Sequence, residues 1–158
     1  MVTRCATRTC RRCWWRNPSR LEKGVELKLA DDSFVRGSVT DPVATGTVIG
    51  NLVDNALHAA RMGPRRPATV EVGLFAEGPA LHVSVMDSGP GVPGPLRATL
   101  FDEGVSTKLT PGHGLGLALA RQAARARGGD VWLADAGGDA AGALFVAKLP
   151  DLLVEAQE

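Results

Sequence analysis

The sequence predicts an α/β two-layer sandwich, with two long helices covering one face of a mostly antiparallel mixed sheet. Three observations predict it. Apolar residues recur at helical spacing in two separate stretches, near residues 42–60 and 115–127. Five other stretches read as strands, four of them in two hairpins. The resulting order of strand, helix, hairpin, helix, hairpin closes as one layer of strands under one layer of helices.

In "GVELKLA", Val25, Leu27 and Leu29 alternate with polar residues, as in a half-buried strand. "TDPVATG" offers Asp41 as a helix N-cap with Pro42 at the first helical position. The helix runs to about Ala60, where Gly63 and Pro64 stop it. "ATVEVGLFAEGPALHVSVMD" reads as two strands joined by a turn at Glu77–Gly78–Pro79. A Gly/Pro-rich passage follows Asp87, broken by a short helical piece at "PLRATLF". A second long helix covers about Leu115 to Arg127 and ends at Gly128–Gly129. "DVWLAD" and "GALFVAKLP" close the domain as strands parted by "AGGDAAG", and no internal repeat is present. The loop between Asp87 and the second helix, about 25 residues, has the length of a lid or binding segment rather than a connector.

The 158 residues fit one domain, and an apolar fraction of 44% supplies a core. The expected boundaries are an unpatterned tail at 1–20, the domain at 21–150 and a C-terminal tail at 151–158. The net charge of +1 conceals an asymmetry. Six arginines and no acid lie in the first twenty residues, so 21–158 holds twelve basic against seventeen acidic residues, a net of −5. A basic nucleic-acid-binding domain is therefore excluded for the body of the chain. No stretch approaches the roughly 18 apolar residues of a membrane span, and the N-terminus lacks the apolar core of a secretory signal. Cys5, Cys10 and Cys13 are the only cysteines and crowd into the tail, which argues against a disulfide framework and for a cytoplasmic protein. Cys10 and Cys13 make a C-x-x-C pair, but zinc wants a fourth ligand and the nearest histidine is His58. A disordered tail accounts for them as well, and Trp14 and Trp15 fit docking on the body or on a partner.

Four stretches could carry chemistry. Asn51 and Asn55 lie one turn apart on one face of the first helix. Their amides can give oxygen to a hard cation such as Mg²⁺ or bond a phosphate-bound water; an isolated pair more often caps backbone groups or faces solvent. "DSGPG", Asp87 to Gly91, ends a strand with glycines that let the backbone approach a flat ligand. An ionised aspartate there only accepts, which suits the exocyclic amino group of adenine; guanine presents a carbonyl, a mismatch of about 1–3 kcal/mol. A plain strand-ending turn is the alternative. "FDEGVSTK" sets Thr107 and Lys108 near a glycine, a pairing suited to phosphate oxygens, with Phe101 anchoring the loop to the core. "GHGLGLALA" opens a helix on Gly112, Gly114 and Gly116, leaving amides free to cradle a triphosphate. It is not a Walker A loop, since Gly116 is followed by Leu117, nor a dinucleotide fingerprint, since its spacing is G-x-G-x-G after a loop.

In this order, the N-x-x-x-N-A helix, D-x-G-x-G, the G-x-S-T-K loop and G-x-G-L-G-L resemble the catalytic ATP-binding domain of sensor histidine kinases. This is the Bergerat fold shared with gyrase and MutL. The resemblance covers about Leu21 to Pro150, and "GNLVDNAL", "GVSTK" and "GHGLGLAL" look most like citrate- and dicarboxylate-sensing kinases. It implies ATP and Mg²⁺ as cofactors, Asn55 as the metal ligand and Asn51 at the phosphate end. It further implies Asp87 on the adenine amino group, with Gly89, Gly91 and Val92 shaping that pocket. Thr107 and Lys108 would meet the phosphates from an ATP lid, and Gly112, His113, Gly114, Leu115 and Gly116 would surround them. His58, one turn after Asn55, is a further phosphate candidate and equally a surface histidine.

In related ATPases the place of Asn51 holds a glutamate that acts as general base on water. Asparagine takes up no proton at neutral pH, so the resemblance implies transfer of the phosphoryl group rather than hydrolysis. Asn51 and Lys108 are then the catalytic candidates. A phosphoacceptor-histidine dimerisation segment and a response regulator are the expected partners. None of His58, His82 and His113 sits on a segment patterned as an acceptor helix. The chain is thus expected to be a catalytic module without its own acceptor, whether a fragment, a shortened reading frame or a stand-alone domain. An anti-sigma-type serine kinase and a nucleotide-binding module without transfer activity are the competing readings.

Overall fold

The computed structural model describes residues 24–104, 114–138 and 142–154. Its elements in chain order are β1 (Val25–Leu29), β2 (Ser38–Val39), α1 (Pro42–Met62), β3 (Ala68–Glu77), β4 (Ala80–Asp87), a 3-10 turn (Gly94–Leu96), α2 (Gly116–Arg125), β5 (Asp130–Asp135), β6 (Leu144–Leu149) and β7 (Leu153–Val154). Five strands form one sheet in the order β1-β3-β4-β6-β5. Only β1 and β3 run parallel; β3–β4, β4–β6 and β6–β5 are antiparallel. This is the expected two-layer sandwich.

The core follows from two periodicities. Strand residues two apart (Val70 and Val72, Val83 and Val85, Phe145 and Ala147) turn to one face and are at most 2% exposed. Against them α1 presents Val48, Leu52, Val53, Ala56 and Leu57, the helical stripe of the sequence. Each such Val or Leu contributes about 1.5–3 kcal/mol by leaving water. α2 adds Leu117 together with Ala120 and Ala124, the small alanines letting it lie close. α1 starts where expected: the Asp41 carboxylate accepts from the Ala44 amide at 2.9 Å, with Pro42 following it.

Two expectations change. The chain beyond residue 150 is not a tail up to Val154: Leu152 is 0% exposed, Leu153 7%, and β7 pairs antiparallel with β2. The domain therefore extends through Val154, because the Pro79 carbonyl accepts from the amides of both Leu152 and Leu153. The helical piece at "PLRATLF" is a three-residue 3-10 turn at Gly94–Leu96 followed by irregular turns. Beyond Leu96 the Thr99 and Asp102 amides donate three residues back, to Leu96 and Thr99, so the chain continues as tight turns rather than an α-helix. Among the described residues no helix is long and apolar enough to cross a membrane.

Candidate functional site

α1 carries both ends of the site. The Asn51 Nδ2 donates to the Thr47 carbonyl at 2.8 Å, one turn back, which leaves Oδ1 to face the start of α2. A Cβ added to Gly116 would lie 3.2 Å from that oxygen. Eight residues further on, the Ala59 carbonyl meets the turn after β4. A Cβ on Gly89 would come within 2.6 Å of that carbonyl and 2.7 Å of the Asp87 Oδ1, so the turn can approach α1 only without a side chain. The two contact points are about 12 Å apart at 1.5 Å per residue. Asn55 and His58 lie between them, both half-buried.

Asp87, the last residue of β4, is 4% exposed. Its Oδ1 accepts from the Gly89 amide at 2.7 Å and from the Ala143 amide at 3.4 Å. Its Oδ2 is buried and has no hydrogen-bond partner. Burial pushes the Asp87 carboxyl above its ordinary value, and the two amide donors offset only part of that rise. A buried acceptor without a donor costs about 1–3 kcal/mol. An amino group delivered by a ligand would remove that cost, and the adenine amino group has the required chemistry. Gly142 closes the other side, since a Cβ there would strike both the Asp87 carbonyl and Oδ1.

The pocket wall continues through the loop. Gly91 has φ +80°, and the Val92 amide donates to the Ala136 carbonyl at 2.7 Å, tying the loop to the end of β5. Val92 packs half-buried on the core. Phe101 anchors the loop as expected, its ring edge-on to Phe145 at 6.3 Å. At the far end Gly114 has φ +119° and Leu115 caps α2 without a side-chain hydrogen bond. The N-cap residue thus offers no side-chain acceptor to the first amides of α2, an arrangement suited to phosphate oxygens.

The structure thus brings Asn51, Asn55, His58, Gly89 and Asp87 together along α1, with Gly116 beside Asn51 and Val92 and Gly91 on the adjoining loop. Thr107, Lys108, Gly112 and His113 lie outside the described residues, as do Cys5, Cys10 and Cys13. Among the described residues no group of three or more His, Cys, Asp or Glu side chains could hold a metal ion. A divalent ion here would rest on the Asn55 amide oxygen and on phosphate oxygens. Sequence reasoning missed Gly142 and Ala143, which meet Asp87 from 55 and 56 residues away in the chain, and Gly63. A Cβ on Gly63 would strike the Ser88 carbonyl, so it does more than end α1. No local signal marks the first two; only tertiary contact selects them.

Residues 40–153 match the family described as histidine kinase-, DNA gyrase B- and HSP90-like ATPase. The sensor histidine kinase DpiB of Escherichia coli is 38% identical over 112 residues, 70% of this chain and 20% of that protein. The sensor protein CitS of Halalkalibacterium halodurans is 36% identical over 104 residues, 66% of this chain and 19% of that protein. The chain spans about a fifth of the length of these relatives. Full-length ShkA, solved in complex with AMPPNP, superposes with a TM-score of 0.69 at 29% identity, over 88% of this chain and 28% of that one. The mycobacterial sensor histidine kinase MprB gives 0.63 at 26% identity, over 87% and 94%.

Proposed function

This chain belongs to the histidine kinase-, DNA gyrase B- and HSP90-like ATPase family, and from that premise we propose that it is the ATP-binding catalytic module of a two-component sensor histidine kinase. The observation that carries the reading is the orphaned Oδ2 of Asp87, a buried acceptor beside the C-terminal part of α1, with Asn51 two turns back on that helix facing the start of α2. Adenine donates its amino group to Asp87. The triphosphate extends along α1 past His58 and Asn55 to Asn51 and the amides at Gly114–Gly116. The Asn55 amide oxygen would hold Mg²⁺, which when bound would supply neutralisation of phosphate charge. Thr107 and Lys108 meet the phosphates from the lid.

The module moves no proton from water. Asn51 neither accepts nor releases one, so the γ-phosphorus is presented to another nucleophile. A histidine ring nitrogen from a dimerisation segment attacks it, the β–γ bridging bond breaks, and ADP departs. The likeness to citrate- and dicarboxylate-type sensors supports a response regulator as the next acceptor and a cytoplasmic site of action.

The test incubates the chain with γ-labelled ATP, Mg²⁺ and a purified dimerisation segment from a citrate-type kinase. Acid-labile label on that segment's histidine is expected. Acid-stable label on serine supports the serine-kinase alternative, and binding without any label leaves a nucleotide-binding module.

A further inference from the structure

We propose that β1 is a self-pairing edge, through which two copies of this chain join antiparallel into one continuous ten-stranded sheet. β1 ends the sheet order, with β3 on one side and no described strand on the other. Its hydrogen-bonding phase is fixed by the Ala30 amide, which donates to the Val72 carbonyl at 2.8 Å in register with Leu29 opposite Val72. In a parallel ladder, residues alternate between turning both backbone groups to one neighbour and to the other. Glu26 and Lys28 therefore bond to β3, while Val25, Leu27 and Leu29 aim amide and carbonyl at the open edge.

That phase admits only antiparallel registers in which Val25, Leu27 and Leu29 face one another across a two-fold axis. Three such registers join more than one residue of each strand, and the charges on the outer face separate them. Centred on residue 26, Glu26 meets its own copy; centred on residue 28, Lys28 meets its own copy. Centred on Leu27, Glu26 faces Lys28 of the second copy twice over. These are the non-hydrogen-bonded positions, where side chains come closest and opposite charges gain most. In the single chain the same two residues satisfy each other, Lys28 Nζ to Glu26 Oε2 at 3.0 Å. On the other face the join covers Leu29, now 57% exposed, against Val25 of the second copy. Phe34, at 61% exposed, extends the apolar margin just beyond the strand. A lysine on an edge strand ordinarily discourages pairing; in "VELKL" Lys28 is offset by Glu26 when the strand meets its own reverse.

Five residues a side make a contact at the low end of specific interfaces, below about 1,200 Å², so the association is weak and reversible. The experiment is sedimentation velocity of the full chain in reducing buffer, from low to high micromolar concentration. A concentration-dependent monomer–dimer equilibrium is expected. Glu26→Lys, which sets like charges across the join, weakens it by about tenfold, and the double variant Glu26→Lys with Lys28→Glu restores it. Leu29→Pro, which removes an edge-facing amide not used by β3, abolishes it while nucleotide binding persists. A monomer at every concentration overturns the proposal, whether the edge is bare or covered by residues 1–23. So does a dimer indifferent to these substitutions, or a double variant as weak as the single one.

Discussion

Asp87 holds its carboxylate where water is excluded, with two amides on one oxygen and none on the other. Its raised pKa gives a definite sign. The group's contribution to stability is present below the ordinary value of 3.8 and is lost as pH rises through the raised folded value. Above that folded value the ligand-free domain carries a destabilising buried charge. Asp87→Asn is expected to melt no lower than the parent near pH 7 without nucleotide, any advantage shrinking toward about pH 4. Calorimetry of the same variant is expected to show ATP affinity reduced about 10- to 100-fold, because an amide donor then meets an amino donor. Asn51→Glu restores a group able to take a proton from water. ATP hydrolysis measured without any acceptor is expected to rise about 10-fold or more, and unchanged turnover would contradict the role given to Asn51. The pocket residues of α1 and of the strand end were legible in the sequence because each lies in a short motif. Gly142 and Ala143 were not, because what makes them part of the pocket is distance in space, 55 residues from Asp87 along the chain.

Among the elements, α2 is the one that most needs support from its neighbours. It has ten residues and no side-chain cap at its start, too short to be stable alone. Its C-terminal half is held to β5 by Asp130, whose carboxylate receives Arg121 at 2.8 Å and Arg125 at 3.1 Å. Arg121 also stacks 4.7 Å from the centre of the Phe101 ring, so the same side chain ties α2 to the loop. The Arg121 guanidinium, then Arg125 and the Val131 amide, hold the Asp130 carboxyl well below the usual carboxylate range despite some desolvation. Asp130 is 39% exposed, so screening trims the gain. Asp130→Ala is expected to cost about 1 kcal/mol in denaturant titrations. With a depressed folded pKa, that difference is present above 3.8 and shrinks as pH falls below it. α1, α2 and the five main strands were legible because each repeats its period several times. β2 and β7, two residues each, repeat nothing, so only pairing reveals them.

At the scale of the whole molecule, the segment after Pro150 closes the fold rather than trailing from it. The Thr40 hydroxyl and amide both bond the Leu152 carbonyl, at 3.1 and 2.8 Å, linking the chain's end to the entry of α1. Leu152→Ala is expected to lower unfolding free energy by about 2–4 kcal/mol, the cost of a buried cavity, with ATP affinity little changed in the variant that remains folded. A surface-like loss below about 0.5 kcal/mol would show that 151–154 is dispensable. In the proposed binding mode one uninterrupted helix sets the interval between base recognition and phosphate capture and works as a yardstick: a nucleoside or monophosphate would satisfy one terminus and never both. Affinity should climb in steps as phosphates are added, and a single residue inserted between Asn51 and Ala59 would swing the two termini about 100° out of alignment while leaving every side chain of the pocket present.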